Sequence, residues 1–416
     1  MEQVKINTLQ KHPPMPMLTL SAIAILMACG YFFASDMYVP SMPDIAHYYH
    51  VDTSVVRMTI SFFLISLAFS QLYYGPASDK YGRKGMIIIG SVVYLIGSIV
   101  CYSSESIQML ILGRVIQGAG VGALMSLSRT IIQDSANKKQ FLNVMAWLSI
   151  FFLVAPAMAP VIGGFLQTYF GWRSTFVFMI VFVLILLAVI ITFLPETNHY
   201  KNKDALKIKV IATNYLEIMK HGRFLMYCFV MVAALSGIIV FYTISPFIFI
   251  VDYHMSPSSY GLLSLGIVAS ALAGRIYMTL YAIKHYDADK ILMIGVVFMF
   301  IGGIFMLGIS LLGETPWLIM IGICIYTFGG GLVTPTSAAQ ALRLFPKIIG
   351  SVGAIYGFLQ MGGLFLTSYI GASVEANSFS LAVILLFLSS ISVVWMMLYF
   401  QQMKTKKTEQ VLSQTP

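Results

Sequence analysis

A chain of 416 residues with 58% hydrophobic and 10% charged side chains departs far from a soluble domain, for which roughly 45–50% and 25% are usual. Its 25 Lys and Arg and 16 Asp and Glu are too few to cover a water-soluble fold of that size, so the composition places the chain in a bilayer. The net charge of +9 does not point to nucleic acid, because the cations stand singly or in small groups between apolar runs.

Each crossing of the hydrocarbon layer uses about 20 residues. Uncharged runs of that length occupy 17–35, 58–78, 85–104, 140–172, 174–195, 224–251, 255–274, 291–313, 315–342, 348–374 and 376–403, and a further span, 106–132, carries Arg114 inside it. The expected fold is an all-α integral membrane protein of twelve transmembrane helices in two six-helix lobes. Its predicted parts are a tail over 1–16, a first lobe over 17–194, a Lys-rich linker over 195–222, a second lobe over 223–403 and a tail over 404–416. The first run is longer than the apolar core of a signal peptide and leads into Asp36, so it is expected to remain in the protein. Lys and Arg crowd into both tails and the even-numbered loops, whereas the odd loops hold only Arg57 and Arg173. The positive-inside rule then puts both termini in the cytoplasm of a multi-pass inner-membrane protein. An offset of 199 residues aligns Gly75 with Gly274, and Gly163-Gly164 with Gly362-Gly363, as parallel six-helix repeats would. Cys29, Cys101, Cys228 and Cys324 all lie in apolar runs without metal-type or redox-type spacing and read as packing residues.

Along the chain, four places carry charge or backbone breaks that a lipid-facing helix does not need. The first span ends in Ser35-Asp36-Met37-Tyr38-Val39-Pro40. Asp36 is either an interfacial residue or, with Arg114 in the same half of the bundle, an acid tuned to take up and release protons. The loop after the second span reads Gly75-Pro-Ala-Ser-Asp79-Lys80-Tyr81-Gly82-Arg83-Lys84. It is either a plain positive-inside loop with glycine turns or a built contact in which Asp79 caps a neighbouring helix start and Arg83 pairs with an acid. In the fourth span Arg114 either snorkels to the interface or has a function, since a cation at that depth costs roughly 2.5–3.5 kcal/mol to insert. The string Gly118-Ala-Gly120-Val-Gly122 beside it reads as close helix packing. The fifth span holds Pro156, Pro160, Gly163 and Gly164, which predict a kinked and tightly packed helix.

These strings resemble the major facilitator superfamily. The loop Gly-x-x-x-Asp-x-x-Gly-Arg-Lys between the second and third spans is similar to its signature loop. The resemblance implies a cytoplasmic gate formed by Gly75, Asp79, Gly82 and Arg83, with Asp134 as the partner acid. Within it, the Arg114-x-x-Gln117-Gly118-x-Gly120 run, the Ala-Pro-x-x-Ala-Pro form of the fifth span and the Asp36-Met-Tyr-x-Pro string resemble drug–proton antiporters of the bicyclomycin and chloramphenicol resistance (Bcr/CflA) family. That likeness implies proton transfer at Asp36 and Arg114. Further strings of the same kind are Gly171-Trp172-Arg173, Pro195-Glu196-Thr197 and Ser245-Pro246-Phe247.

Tyr31, Phe62, Met125, Trp147, Phe151, Met158, Tyr242, Tyr356 and Met361 suit an adaptable apolar cargo cavity, to which Gln117 and Gln360 add polar selectivity. The expected function is proton-coupled efflux of amphiphilic small molecules by alternating access. The alternatives are dedicated export of a metabolite such as a siderophore or, from another class, a membrane enzyme or receptor. With no nucleotide-binding domain in the sequence, the proton gradient is the expected driving force, without cofactor or metal. The expected partners are cargo, protons and lipid around a functional monomer, with no nucleic acid.

Overall fold

The computed structural model describes residues 16–136, 138–198, 201, 215–345 and 349–412, with the side chains of 138–143, 145–150, 152–153, 349–351 and 402–412 outside that description. Its helices are α1 (Met17–Asp36), α2 (Met42–Tyr49), α3 (Thr53–Tyr81), α4 (Arg83–Tyr102), α5 (Ile107–Ser135), α6 (Lys138–Phe170) and α7 (Arg173–Phe193). They continue with α8 (Gly222–Pro246), α9 (Pro257–Tyr277), α10 (Ala288–Leu312), α11 (Pro316–Arg343), α12 (Ile349–Ser373) and α13 (Ser378–Leu412). Ten helical segments among the described residues are long and apolar enough to cross a membrane. In lipid every backbone N–H and C=O must be satisfied within the protein, which explains why long helices dominate.

Helix starts follow local chemistry. The side chains of Asp52, Ser106, Ser256 and Thr315 accept from the backbone of Ser54, Met109, Ser259 and Leu318 at the heads of α3, α5, α9 and α11. Pro257 and Pro316 open α9 and α11, where a missing N–H costs nothing. Those hydrogen bonds hold the Asp52 carboxyl below its ordinary range, so the cap persists above that range and weakens as acid protonates it. Two elements differ from the sequence reading. The stretch after Asp36, read as loop, contains a 3-10 turn (Val39–Ser41) and α2. Arg57, counted as a loop cation, lies buried in the second turn of α3, where its Nε donates to Thr53 O at 3.4 Å. A search for charge-free runs cuts a helix at its first ionisable side chain.

The chain divides into two compact units, Met1–Ile211 and Ala212–Pro416, with the division inside the predicted linker. In the first unit α1, α3 and α4 pack on α5, α6 packs on α1, and α7 on α4. The second unit repeats this plan, with α8, α9 and α10 on α11, α12 on α8, and α13 on α10. Without a hydrophobic drive between helices in lipid, such contacts need close backbone approach. A Cβ on Gly120 would overlap the backbone of Tyr94 and Gly90, and one on Gly118 the carbonyl of Phe63. The contact of Gly97 with Gln117 recurs as Gly302 with Tyr326, which sets the structural repeat at 205 residues for α4 and α10 and 209 for α5 and α11. At Gly75 and Gly274 the 199-residue offset is corrected: Gly274 presses on the Phe328 carbonyl, whereas nothing lies within 4 Å of a Cβ on Gly75. Unequal loops between the spans change the register along each lobe.

Gly120→Ala is expected to force α4 from α5 and lower the thermal midpoint of detergent-solubilised protein, overpacking of this kind costing about 1–3 kcal/mol. Gly75→Ala should leave the midpoint unchanged, and equal losses in the two variants would remove the packing account.

Candidate functional site

The first site forms where α1 ends. The last four carbonyls of a helix have no partner within it and carry the negative end of its dipole. Ala34, in that last turn, receives a hydrogen bond from Arg114 Nη1 on α5 at 2.7 Å. The same nitrogen donates to Gln117 Oε1, one turn along α5, at 2.8 Å. Gln117 Nε2 in turn donates to Ser98 Oγ on α4 at 2.9 Å and to Met179 Sδ on α7 at 3.5 Å. The guanidinium lies 4.4 Å from the Phe63 ring centroid and 4.9 Å from that of Tyr38, an arrangement that is favourable for a desolvated cation. Four helices besides α5, namely α1, α3, α4 and α7, thus converge on the Arg114–Gln117 pair.

Arg114 is fully buried, so the snorkelling alternative does not describe it. Its Nε and Nη2 atoms, which form the fork edge suited to a carboxylate, have no hydrogen-bond partner among the described residues. Asp36 closes the same turn of α1, buried, and accepts from Ser35 Oγ at 2.5 Å. Asp36 and Arg114 are therefore neighbours that share the end of α1, bridged through its backbone. Close by, a Cβ on Gly163 of α6 would overlap the Met37 carbonyl, so glycine lets α6 seat against the break after α1. Gly164 is buried beside it, and Pro156 and Pro160 lie within α6.

The second site joins the end of α3 to the start of α4. Arg83 Nε pairs with Asp134 Oδ2 on α5 at 2.8 Å, and its Nη1 with Asp79 Oδ1 and Ser78 Oγ, each at 2.5 Å. Asp79, Arg83 and Asp134, named from the sequence, thus come together. Gly82 joins the two helices with a φ of +113°, a value that favours glycine. The cap expected from Asp79 is supplied instead by Glu196, whose carboxylate accepts from the amides of Arg83 at 2.8 Å and Lys84 at 3.3 Å. Asp79 is already engaged with Arg83. Ser78, Ser98 and Glu196 escaped the site prediction; Glu196 stood in the sequence only as part of the Pro195-Glu196-Thr197 string.

The predicted cavity residues scatter. Tyr31, Tyr242 and Met361 are buried, Phe62, Met125, Phe151, Tyr356 and Gln360 are half-buried, and Met158 is exposed. The side chain of Trp147 lies outside the described residues. Gln117 is corrected from cavity lining to the interior of its unit, because both ends of its amide are committed to Arg114, Ser98 and Met179. In the second unit its place is taken by Tyr326, whose hydroxyl donates to Ala233 O at 2.8 Å, and at the same offset the apolar Ile323 stands where the first unit has Arg114. A polar seam there instead pairs Ser236 with Thr367 at 2.9 Å and Thr243 with Ser368 at 3.3 Å. Among the described residues no three potential metal ligands gather.

Two units built on one helix plan, a cation buried within an apolar helix and an ion-paired turn between two others define a multi-pass membrane transporter. Residues 24–368 match the family model described as Major Facilitator Superfamily, and the chain belongs to that family. It is 27% identical to the bicyclomycin resistance protein homolog of Haemophilus influenzae, with 82% of this chain and 84% of that protein covered. It is 25% identical to multidrug resistance protein D of Escherichia coli, with 82% and 85% covered. Among solved structures, a D-xylose–proton symporter superposes with a TM-score of 0.72 at 15% identity, over 90% of this chain and 97% of that one. The nucleoside transporter NupG does so with a TM-score of 0.73 at 15% identity, over 92% and 99%. The family is one of transporters, and this chain is a transporter rather than an enzyme.

Arg114→Lys is expected to lose most transport, because one ammonium cannot keep the fixed donor geometry toward Ala34 and Gln117 and still present a fork edge. Gln117→Leu should lower the thermal midpoint, since a buried donor or acceptor left without its partner costs about 1–3 kcal/mol. Wild-type efflux by Arg114→Lys would remove the case for the fork edge.

Proposed function

We propose that this protein exports amphiphilic small molecules across the inner membrane in exchange for protons, as a monomer of twelve spans with both termini in the cytoplasm. The carrying observation is the open Nε–Nη2 edge of a buried arginine at the helix end that also bears Asp36. An ionised Asp36 is attracted to that edge; a protonated one is not, and keeps its bond with Ser35. Proton uptake and release thereby change what holds the end of α1, where α5 and α6 both seat. Cargo competes by favouring one arrangement of α1 and protons the other, which couples the two flows. The membrane potential adds about 2.3 kcal/mol for each charge moved through 100 mV, so the scheme needs no cofactor.

Support for the cargo class comes from relatives named for bicyclomycin, chloramphenicol and multidrug resistance. Support for cytoplasmic termini comes from the cation distribution, which the burial of Arg57 within α3 sharpens further. The Asp79–Arg83–Asp134 contacts act as a latch on the cytoplasmic side, closed when all three are engaged.

Asp36→Asn keeps the shape of the side chain but cannot titrate. In vesicles with an imposed pH gradient it should bind cargo and reach the membrane yet show no pH-driven export; full pH-driven export by this variant ends the proton assignment. Arg83→Ala should retain cargo binding and lose turnover, because charge-assisted contacts worth about 1.5–3 kcal/mol each hold the latch. Unchanged turnover in Arg83→Ala would exclude a latch at this turn.

A further inference from the structure

Three helix ends meet at the latch, and each is finished by a residue from another element. The first amides of α4, at Arg83 and Lys84, have no partner within the helix and are taken by Glu196. Two carbonyls at the end of α3 accept from Asn198 Nδ2, Ser78 at 3.2 Å beside the amide of Gly82 and Asp79 at 3.0 Å. An orphan carbonyl at the end of α7, Ile191, accepts from Lys84 Nζ at 2.9 Å. The backbone amide of Asn198 folds back to Glu196 Oε1 at 2.9 Å, which rigidifies the segment. Pro195 to Asn198 is thus a strap that crosses the α3–α4 turn and holds both of its sides.

The strap also crosses close over Gly82. A Cβ there would press on the Glu196 carboxylate, and the φ of +113° favours glycine in its own right. With its own amide fixed by Glu196, Arg83 begins α4 at a set height, from which its side chain reaches Asp79, Ser78 and Asp134 together. We infer that Glu196 is a positioning residue of the cytoplasmic latch, and that the strap it anchors, where the chain leaves α7 for the inter-unit linker, must stay seated for the latch to close. The inference rests on the latch reading given above. It makes the exit of α7 and the α3–α4 turn one mechanical body, so whatever displaces the first linker residues loosens Arg83.

The test uses the full-length protein with Cys29, Cys101, Cys228 and Cys324 replaced and a reporter cysteine at Ala77, which is fully buried beside the turn. A membrane-impermeant polar maleimide on inside-out vesicles reads opening. Glu196→Gln, which keeps the size but can accept through one oxygen only, should raise the labelling rate about ten-fold, the effect of losing one charge-assisted bond. Arg83→Ala should do the same, and the double variant should label no faster than Arg83→Ala alone, because both changes open one latch. If Arg83→Ala labels faster while Glu196→Gln matches the parent, the strap is overturned and the latch stands. If Arg83→Ala itself leaves labelling unchanged, the latch reading fails and the strap with it. Additive rates in the double variant would mean that Glu196 supports folding independently of Arg83, and would overturn the positioning role. Asn198→Ala, which frees the α3 carbonyls without touching Glu196, should give a smaller increase in the same direction.

Discussion

Arg114, fully buried in mid-helix, organises the first unit. Inserting a charge into hydrocarbon is unfavourable by several kcal/mol unless the protein supplies partners, and the partner that Arg114 finds is the unpaired carbonyl end of α1. That choice ties three consequences together. The end of α1 is fixed in place, α6 seats against the chain just beyond it through Gly163, and Asp36 is held beside an arginine that still has an unused edge. Charge and backbone satisfy each other here, so a change of charge at Asp36 is also a change in how a helix end is held.

The two units share a helix plan but differ in chemistry. Position for position, Gln117 beside Arg114 is answered by Tyr326, and both the arginine and the tyrosine reach a backbone carbonyl on the first helix of their own unit, Ala34 and Ala233. A neutral hydroxyl does that work in the second unit without a desolvated charge. The hydroxyl pairs between α8 and α12 bind helices without titrating. At the head of α10, Asp289 accepts from Tyr227 at 3.0 Å and Tyr399 at 3.2 Å, where the first unit has a carboxylate on helix amides. The repeat thus conserves the way helices approach one another while polar function is concentrated in the first unit.

Helix ends are where the structure departs most from a simple bundle. Within a span each backbone group is satisfied four residues away, but the ends need partners from elsewhere. At the α3–α4 turn those partners come from the exit of α7, more than a hundred residues along the chain. The same economy places Arg173 over Tyr48 and Trp172 while it donates to the carbonyls of Tyr102 and Ser104, finishing α4 at its other end.

Spans were legible in the sequence because lipid demands long apolar helices, and the rule misplaced ends where a charge lies inside a helix, as at Arg57. The Asp79 and Arg83 pair was legible because its spacing is fixed within one turn, whereas Asp134, 51 residues further on, was legible only through the family resemblance. That Arg114 starts within the hydrocarbon layer followed from its depth; that it is buried and not snorkelling, and what binds it, did not. Its partners are a backbone carbonyl and an amide, groups present at every position or in many, and sequence does not distinguish the one that lies within reach. For the same reason Gln117 read as cavity lining until its amide was seen to be fully used. Glu196 was hidden because its partners are the amides of Arg83 and Lys84, which have no side-chain identity to match. The sequence by itself determined that long apolar helices dominate the chain and where charge stands within them. Tertiary structure decided which orphan backbone groups those charges satisfy, because that depends on helix register and approach, and these are set by glycine contacts between segments far apart in the chain.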